Sequence, residues 1–112
     1  MSKVIHIDKP WGFEEIIETN DRYTFKKLFM TTGNQCSLQY HEKKKETILV
    51  LEGELWIQYG NTEKEYLPGE SITIEPGVVH RMSARSEDAL YLEASTSELD
   101  DVIRLEDDYD RS

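Results

Sequence analysis

The run Gln39-Tyr40-His41-Glu42-Lys43-Lys44-Lys45-Glu46 carries three potential ligands at a spacing that β structure gathers on one side. Gln39 and His41 stand two apart in a segment, residues 36–41, that reads as a strand. Side chains on a strand alternate faces, so these two point the same way. Glu46 stands at the head of the next strand-like run, and His80 follows at a distance inside Glu75-Pro76-Gly77-Val78-Val79-His80. Two imidazoles, one carboxylate and one carboxamide oxygen make a four-ligand set for a divalent transition metal. In an all-β chain this set predicts a barrel with its chemistry at the mouth.

The flanking sequence is consistent with that reading. Residues 11–19, 23–30, 47–52, 55–59, 65–67, 71–74, 78–82 and 89–94 read as further strands from their aromatic and β-branched content. Between them lie the turn signals Asn20-Asp21, Thr32-Gly33-Asn34, Glu52-Gly53-Glu54, Gly60-Asn61, Pro68-Gly69-Glu70 and Pro76-Gly77. Short strands closely punctuated by turns predict a sandwich or barrel. After the last strand, Ser97 is a candidate N-cap for a short helical segment reaching Arg104, with acids in its first turn. The acidic tail, residues 106–112, is expected to be disordered.

The 112 residues predict a single domain, 1–112, with a barrel over 9–97 and an acidic C-terminal segment over 98–112. Twenty-three acids against thirteen bases give a net charge of −10, which disfavours nucleic acid as a partner. Residues 98–112 hold seven acids and two arginines, a net of −5. A phosphorylated small molecule would need local cations, for which Lys43, Lys44, Lys45, Arg81, Arg85 and Arg104 are available. No apolar run approaches a membrane span, and the first eight residues lack the features of a signal peptide. The single cysteine, Cys36, has no internal disulfide partner, which fits a cytoplasmic setting, and it reads as a small buried hydrophobe.

The pattern resembles the cupin family, a double-stranded β-helix or small jelly-roll barrel. The first cupin motif, G-x5-H-x-H-x3-4-E-x6-G, is matched by Gly33-x5-Gln39-x-His41-x4-Glu46-x6-Gly53, with Gln39 in place of the first histidine. The second, G-x5-P-x-G-x2-H-x3-N, is matched by Gly69-x5-Glu75-Pro76-Gly77-x2-His80-x3-Ala84, with Glu75 for the proline and Ala84 for the asparagine. Lys9-Pro10-Trp11-Gly12, Ser37-Leu38-Gln39-Tyr40-His41 and the stretch from Asp100 to Tyr109 are similar to the C-terminal cupin domain of type II mannose-6-phosphate isomerases. That family also carries Gln at the first ligand position. Its H-H-H-R-x-E-H-W stretch is reduced here to His41 and Glu46, with Lys44 at the arginine, and its terminal Y-G-R reads Tyr109-Asp110-Arg111. In bifunctional members this domain follows a guanylyltransferase domain, to which nothing in this sequence corresponds.

The resemblance implies an all-β cupin fold and conversion of mannose 6-phosphate to fructose 6-phosphate. It implies a divalent metal, zinc first, with manganese, nickel, cobalt or iron also admissible. Metal binding falls to Gln39, His41, Glu46 and His80; Arg104 and Lys44 are candidates for phosphate or enediolate contact, and Glu93 is the candidate base. Gln39 has a second reading as a core-facing hydrogen-bonding group. Glu93 shares a strand face with Tyr91, whereas Leu90, Leu92 and Ala94 share the other, and parity alone does not say which face is inside. By the same parity Lys43 and Lys45 oppose Lys44, and Arg81 points away from His80. Trp11 and Trp56 read as packing residues, and His6 as a surface residue. Two other classes remain open: an iron dioxygenase and a non-catalytic sugar-binding cupin. Val4, Ile5 and Ile7 ahead of the barrel form a candidate edge for a homodimer.

Overall fold

A period of two runs along the long strands and divides each into an inner and an outer face. In the segment from Thr24 to Met30, the residues Thr24, Lys26, Leu28 and Met30 are buried and the three between them are only partly so. The computed structural model describes residues 4–98 and 100–109. Its strands are β1 (Ile5–Lys9), β2 (Gly12–Thr19), β3 (Thr24–Met30), β4 (Asn34–Gln35), β5 (Leu38–Tyr40), β6 (Glu46–Glu52), β7 (Leu55–Tyr59), β8 (Thr62–Tyr66), β9 (Ser71–Ile74), β10 (His80–Ala84), β11 (Ala89–Ser95) and β12 (Ile103–Glu106). They form two antiparallel sheets, ordered β1-β2-β3-β11-β6-β9 and β12-β5-β10-β7-β8, with β4 also paired to β10. Both inner faces feed one core, to which Leu28, Ile48, Val50 and Tyr91 come from the first sheet and Leu55, Ile57 and Met82 from the second. Trp11 is buried in that core, whereas Trp56 lies nearer the surface under the Arg85 guanidinium.

The register makes the barrel apolar at one end and polar at the other. Across β3, β11 and β6, Met30 faces Ala89, and Leu28 faces Tyr91, which faces Val50. The next inward layers are Lys26 with Glu93, then Thr24 with Ser95 and Glu46. Apolar layers supply the burial that stabilises the fold, and the polar layers collect charged side chains where the strands end. Parity is thereby resolved in favour of Tyr91 and Glu93 inside, with Leu90 and Leu92 half-buried and Ala94 exposed.

Two local expectations are corrected. No helix occurs among the described residues, and the segment expected to be helical up to Arg104 instead enters β12, which pairs with β5. Leu99, within that segment, lies outside the described residues. A helix of one or two turns is marginal in isolation, and the unpaired edge of β5 offers the β-branched Ile103 and its neighbours a ladder instead. The tail is also held further than expected: Tyr109 packs against the core and donates its hydroxyl to Asn34 Oδ1 at 3.1 Å, and Gln35 Nε2 donates to Asp108 Oδ2 at 2.8 Å. Residues 110–112, including Arg111, lie outside the described residues.

Gly53 and Gly77 show why the motif glycines are needed. Gly77 has φ +85° and donates its N–H to the His41 carbonyl at 2.7 Å, so the turn before His80 is tied to the strand end carrying His41. Gly53 has φ +77°, and a Cβ there would overlap the Asp88 carbonyl oxygen. Gly60 also has positive φ, but a Cβ there meets open space. Gly60→Ala is therefore expected to cost about 1–2 kcal/mol for the left-handed backbone alone. Gly53→Ala is expected to cost more than about 3 kcal/mol. The difference is read from urea unfolding midpoints.

Candidate metal centre

Three strands of the second sheet set out the site in one row. Arg104 of β12 lies opposite Gln39 of β5, which lies opposite His80 of β10. Residues directly opposed in a sheet share a face, so these three side chains are neighbours. His41 follows β5, and Glu46 opens β6 in the facing sheet. The ligand atoms of His41, Glu46 and His80 lie within 4.8 Å of one another, and all three residues are buried.

The hydrogen bonds define which ring nitrogens face the centre. His41 Nδ1 contacts the Asp101 carbonyl, and His80 Nδ1 is 3.0 Å from the Val78 carbonyl. A carbonyl only accepts, so both Nδ1 atoms are donors, and the Nε2 lone pairs of the neutral rings turn inward. There His41 Nε2 meets Glu46 Oε1 at 2.8 Å. His80 Nε2 is buried and makes no hydrogen bond, although the same oxygen is 3.3 Å away. Two inward lone pairs and a carboxylate repel one another unless a metal cation, or in its absence a proton, lies among them. This donor set, with each outer nitrogen anchored on a carbonyl, fits a divalent transition metal. Gln39 borders the same cavity, and its Oε1 accepts the Ser37 hydroxyl at 2.9 Å.

Asp101 organises this arrangement from behind. Its carbonyl holds His41, while its carboxylate accepts the backbone N–H groups of Glu42, Lys43 and Lys44 at 3.0, 2.7 and 2.9 Å. Those N–H donors, Lys43's first, hold the carboxyl below its ordinary value. The grip shapes the loop so that Lys44 turns inward while Lys43 and Lys45 stay exposed.

Lys44 Nζ lies 3.7 Å from Glu93 Oε2, both buried. Burial, then repulsion by Glu46, pushes the Glu93 carboxyl up to about 8 against the pull of Lys44 and Lys26. Glu46 moves the opposite way. Its burial would raise the carboxyl, but the His41 and His80 rings beside it, Glu93 and the charge of Lys44 hold it well below its ordinary value. Gln39, His41, Lys44, Glu46, Glu93 and Arg104 all line one cavity of about 420 Å³, a volume typical of small-molecule sites.

Residues 2–107 match the mannose-6-phosphate isomerase C-terminal family. The chain belongs to that family. Mannose-1-phosphate guanylyltransferase ManC of Salmonella typhimurium is 31% identical over 107 residues, which is 92% of this chain and 22% of ManC. The xanthan biosynthesis protein XanB of Xanthomonas campestris is 29% identical over 108 residues, 93% of this chain and 23% of XanB. The chain thus spans about a fifth of the length of the curated relatives it matches. An RmlC-like cupin from Shewanella frigidimarina superposes with a TM-score of 0.79 at 16% identity, over 88% of this chain and 87% of that one. The fold is the cupin double-stranded β-helix.

Within this family fold, the remaining residues singled out from sequence fall outside the centre. Arg81 donates Nε to the Cys36 carbonyl at 2.9 Å and reaches Glu106 and Asp108, fastening the C-terminal segment. Cys36 is buried, and burial pushes its thiol up to about 11, so it carries no thiolate chemistry. His6 is on the outside, between Asp8 and Glu15. Lys26, Glu14 and Lys9 line the cavity without having been anticipated. The signal for Lys26 is its position in step with Thr24, Leu28 and Met30; for Asp101 there is none, because an acid shortly after Ser97 resembles the first turn of a helix. No described residue belongs to a helix long and apolar enough to cross a membrane.

Two outcomes follow from the geometry. Asp101→Ala releases the loop behind His41 and is expected to weaken metal affinity about 10–100-fold, measured by chelator competition, while His80→Ala removes a ligand outright. The second concerns chelator-treated protein. Glu93 keeps its proton up to about 8 when folded but loses it near 4.5 when unfolded, so its contribution to stability falls as pH rises between those values. Glu93→Gln is expected to stabilise the metal-free protein at pH 8 by on the order of 1–3 kcal/mol and to have little effect at pH 4, read from denaturant midpoints.

Proposed function

We propose that this chain is a metal-dependent aldose–ketose isomerase that converts mannose 6-phosphate to fructose 6-phosphate. The observation that carries this reading is one cavity lined by His41, Glu46 and Glu93, a buried carboxyl poised near neutral pH, with His80 within ligand distance of the first two, in a chain of this family. Held by His41, Glu46 and His80, with Gln39 as fourth ligand, a divalent cation, zinc first, would polarise the substrate's carbonyl and adjoining hydroxyl oxygens.

The chain's own groups then have separate tasks. Glu93, in its ionised form, takes the proton from C2 of the open-chain aldose as the C1=C2 bond forms and the C1=O electron pair moves onto O1; it returns that proton to C1 as the C2=O bond forms, the proton of O2 passing to O1. A carboxyl near 8 suits both halves of that exchange. Lys44 holds the Glu93 carboxylate in place. Arg104, in the row with Gln39 and His80, faces the enediolate oxygens with a planar, multi-donor guanidinium. Four cationic side chains, Lys9, Lys26, Lys44 and Arg104, line the cavity, so an anionic sugar meets local positive charge despite the net −10 of the chain. On the same reading the protein is cytoplasmic and pairs through the outer edge of β1, where Val4 and Ile5 are exposed.

The test is elemental analysis of untagged protein followed by a mannose 6-phosphate to fructose 6-phosphate assay of the loaded form. Turnover is expected, is abolished by His41→Ala and His80→Ala, and falls about 10²–10⁴-fold in kcat with Glu93→Gln. Stoichiometric metal with no turnover overturns the isomerase. The two-histidine, one-carboxylate set also suits non-haem iron, and oxygen uptake by iron-loaded protein would favour that second reading. Light scattering at micromolar concentration is expected to give the mass of a dimer, and a monomer removes the pairing.

A further inference from the structure

Lys26 stands on the inward face of β3 with its side chain only 11% exposed. It donates to Glu14 Oε2 at 2.9 Å, and the other oxygen of Glu14 accepts Lys9 Nζ at 3.0 Å. Two ammoniums therefore share one carboxylate, leaving a net charge of +1 on a cavity wall whose other members include Ile7, Ile16 and Leu28. A buried ion pair is seldom more stabilising than apolar side chains of the same volume, and a second cation adds to the desolvation penalty. Packing alone does not account for this triad.

We infer that Lys9, Glu14 and Lys26 form the seat for the phosphate group of the substrate, on the β2–β3 wall of the cavity, separated from Glu46 by β11. The inference rests on the isomerase reading for the identity of the sugar but not for the binding of phosphate. Lys26 is on β3 and Glu46 on β6, with β11 between them, so two strand spacings, about 10 Å, separate their backbones. An open-chain hexose 6-phosphate with its C1 and C2 oxygens at His41, Glu46 and His80 carries its phosphate at the opposite end of the molecule. Each ammonium has three donors, and one Glu14 oxygen engages only one of them. Glu14 is the positioning residue, holding both lysines at a common point, and their charge acts in a partly desolvated wall where it is weakly screened. The division of labour follows: Arg104 serves the reacting end, and Lys9 with Lys26 the phosphate end. A neutral hexose would lack the second anchor, so the seat selects for phosphorylated sugars.

The experiment titrates inorganic phosphate into wild-type protein while the lysine Cε–Hε signals are followed by NMR. The same titration is then run on Lys9→Gln, at a partly exposed position, and on Lys26→Met. Phosphate is expected to move the Lys9 and Lys26 signals in wild type. Its affinity, and the KM for mannose 6-phosphate, are expected to weaken about 10–100-fold in each variant. Should Lys26→Met not fold, the wild-type titration and Lys9→Gln still decide. Unmoved signals at saturating phosphate, or Lys9→Gln binding phosphate as wild type does, overturn the seat. Lysine-dependent phosphate binding without turnover upholds the seat and removes the isomerase, whereas turnover with a KM indifferent to both lysines does the reverse.

Discussion

Glu46 is an ionised carboxylate held out of water between two imidazoles, and much of the structure exists to make that tolerable. A buried charge is strongly unfavourable unless partners surround it. His41 and His80 flank it, each fixed by a carbonyl, Asp101 for one and Val78 for the other, and a positive charge shared among the three, with Lys44 nearby, completes the compensation. The neighbouring acid, Glu93, keeps its proton up to about 8, first because it is itself buried and then because the charge of Glu46 lies beside it. The candidate ligand cluster and the raised Glu93 carboxyl thus both answer to the charge and burial of one small region.

The barrel provides the conditions for that crowding. Its apolar layers, with Met30, Leu28, Tyr91 and Val50, carry the burial, while the layers beyond them along the same strands are free to be charged. The strand period does both jobs at once: shifting β3 or β11 by one residue would turn Lys26 or Glu93 out to solvent and Phe29 or Leu92 inward. Stability and site placement are set by the same register, so neither can drift without the other.

How much of this was legible before the structure depended on whether a signal was local. The ligand spacing around His41 and the glycine turns before His80 are local, and the strands they belong to lie close to where alternation puts them. Parity sets Lys44 apart from Lys43 and Lys45 but, counted from His41, puts it on the outer face; its inward turn comes from the loop that Asp101 holds, which no local signal shows. The inner face of β11 was not, because Tyr91 with Glu93 and Leu90 with Leu92 are each plausible linings until the facing sheet is known. Lys26 was missed although it keeps step with Leu28 and Met30, since a lysine among apolar residues is ordinarily read as the outer face. β12 was misread because Ser97 and the acids after it resemble a helix start. The ladder that overrides them comes from β5, more than sixty positions earlier in the chain than Ile103.

The grip of Asp101 on the loop after β5 has a temporal side. His41 is oriented by a carbonyl sixty residues further along the chain, and the loop that follows it by the carboxylate of that same residue. On a ribosome, both histidines and Glu46 emerge well before the group that aims the first of them. The young chain therefore holds its ligands without their final orientation until Asp101 arrives and β12 closes against β5. A metal held in this row would therefore find its final geometry only after β12 has closed against β5, which follows the emergence of His41 and Glu46 by some sixty residues.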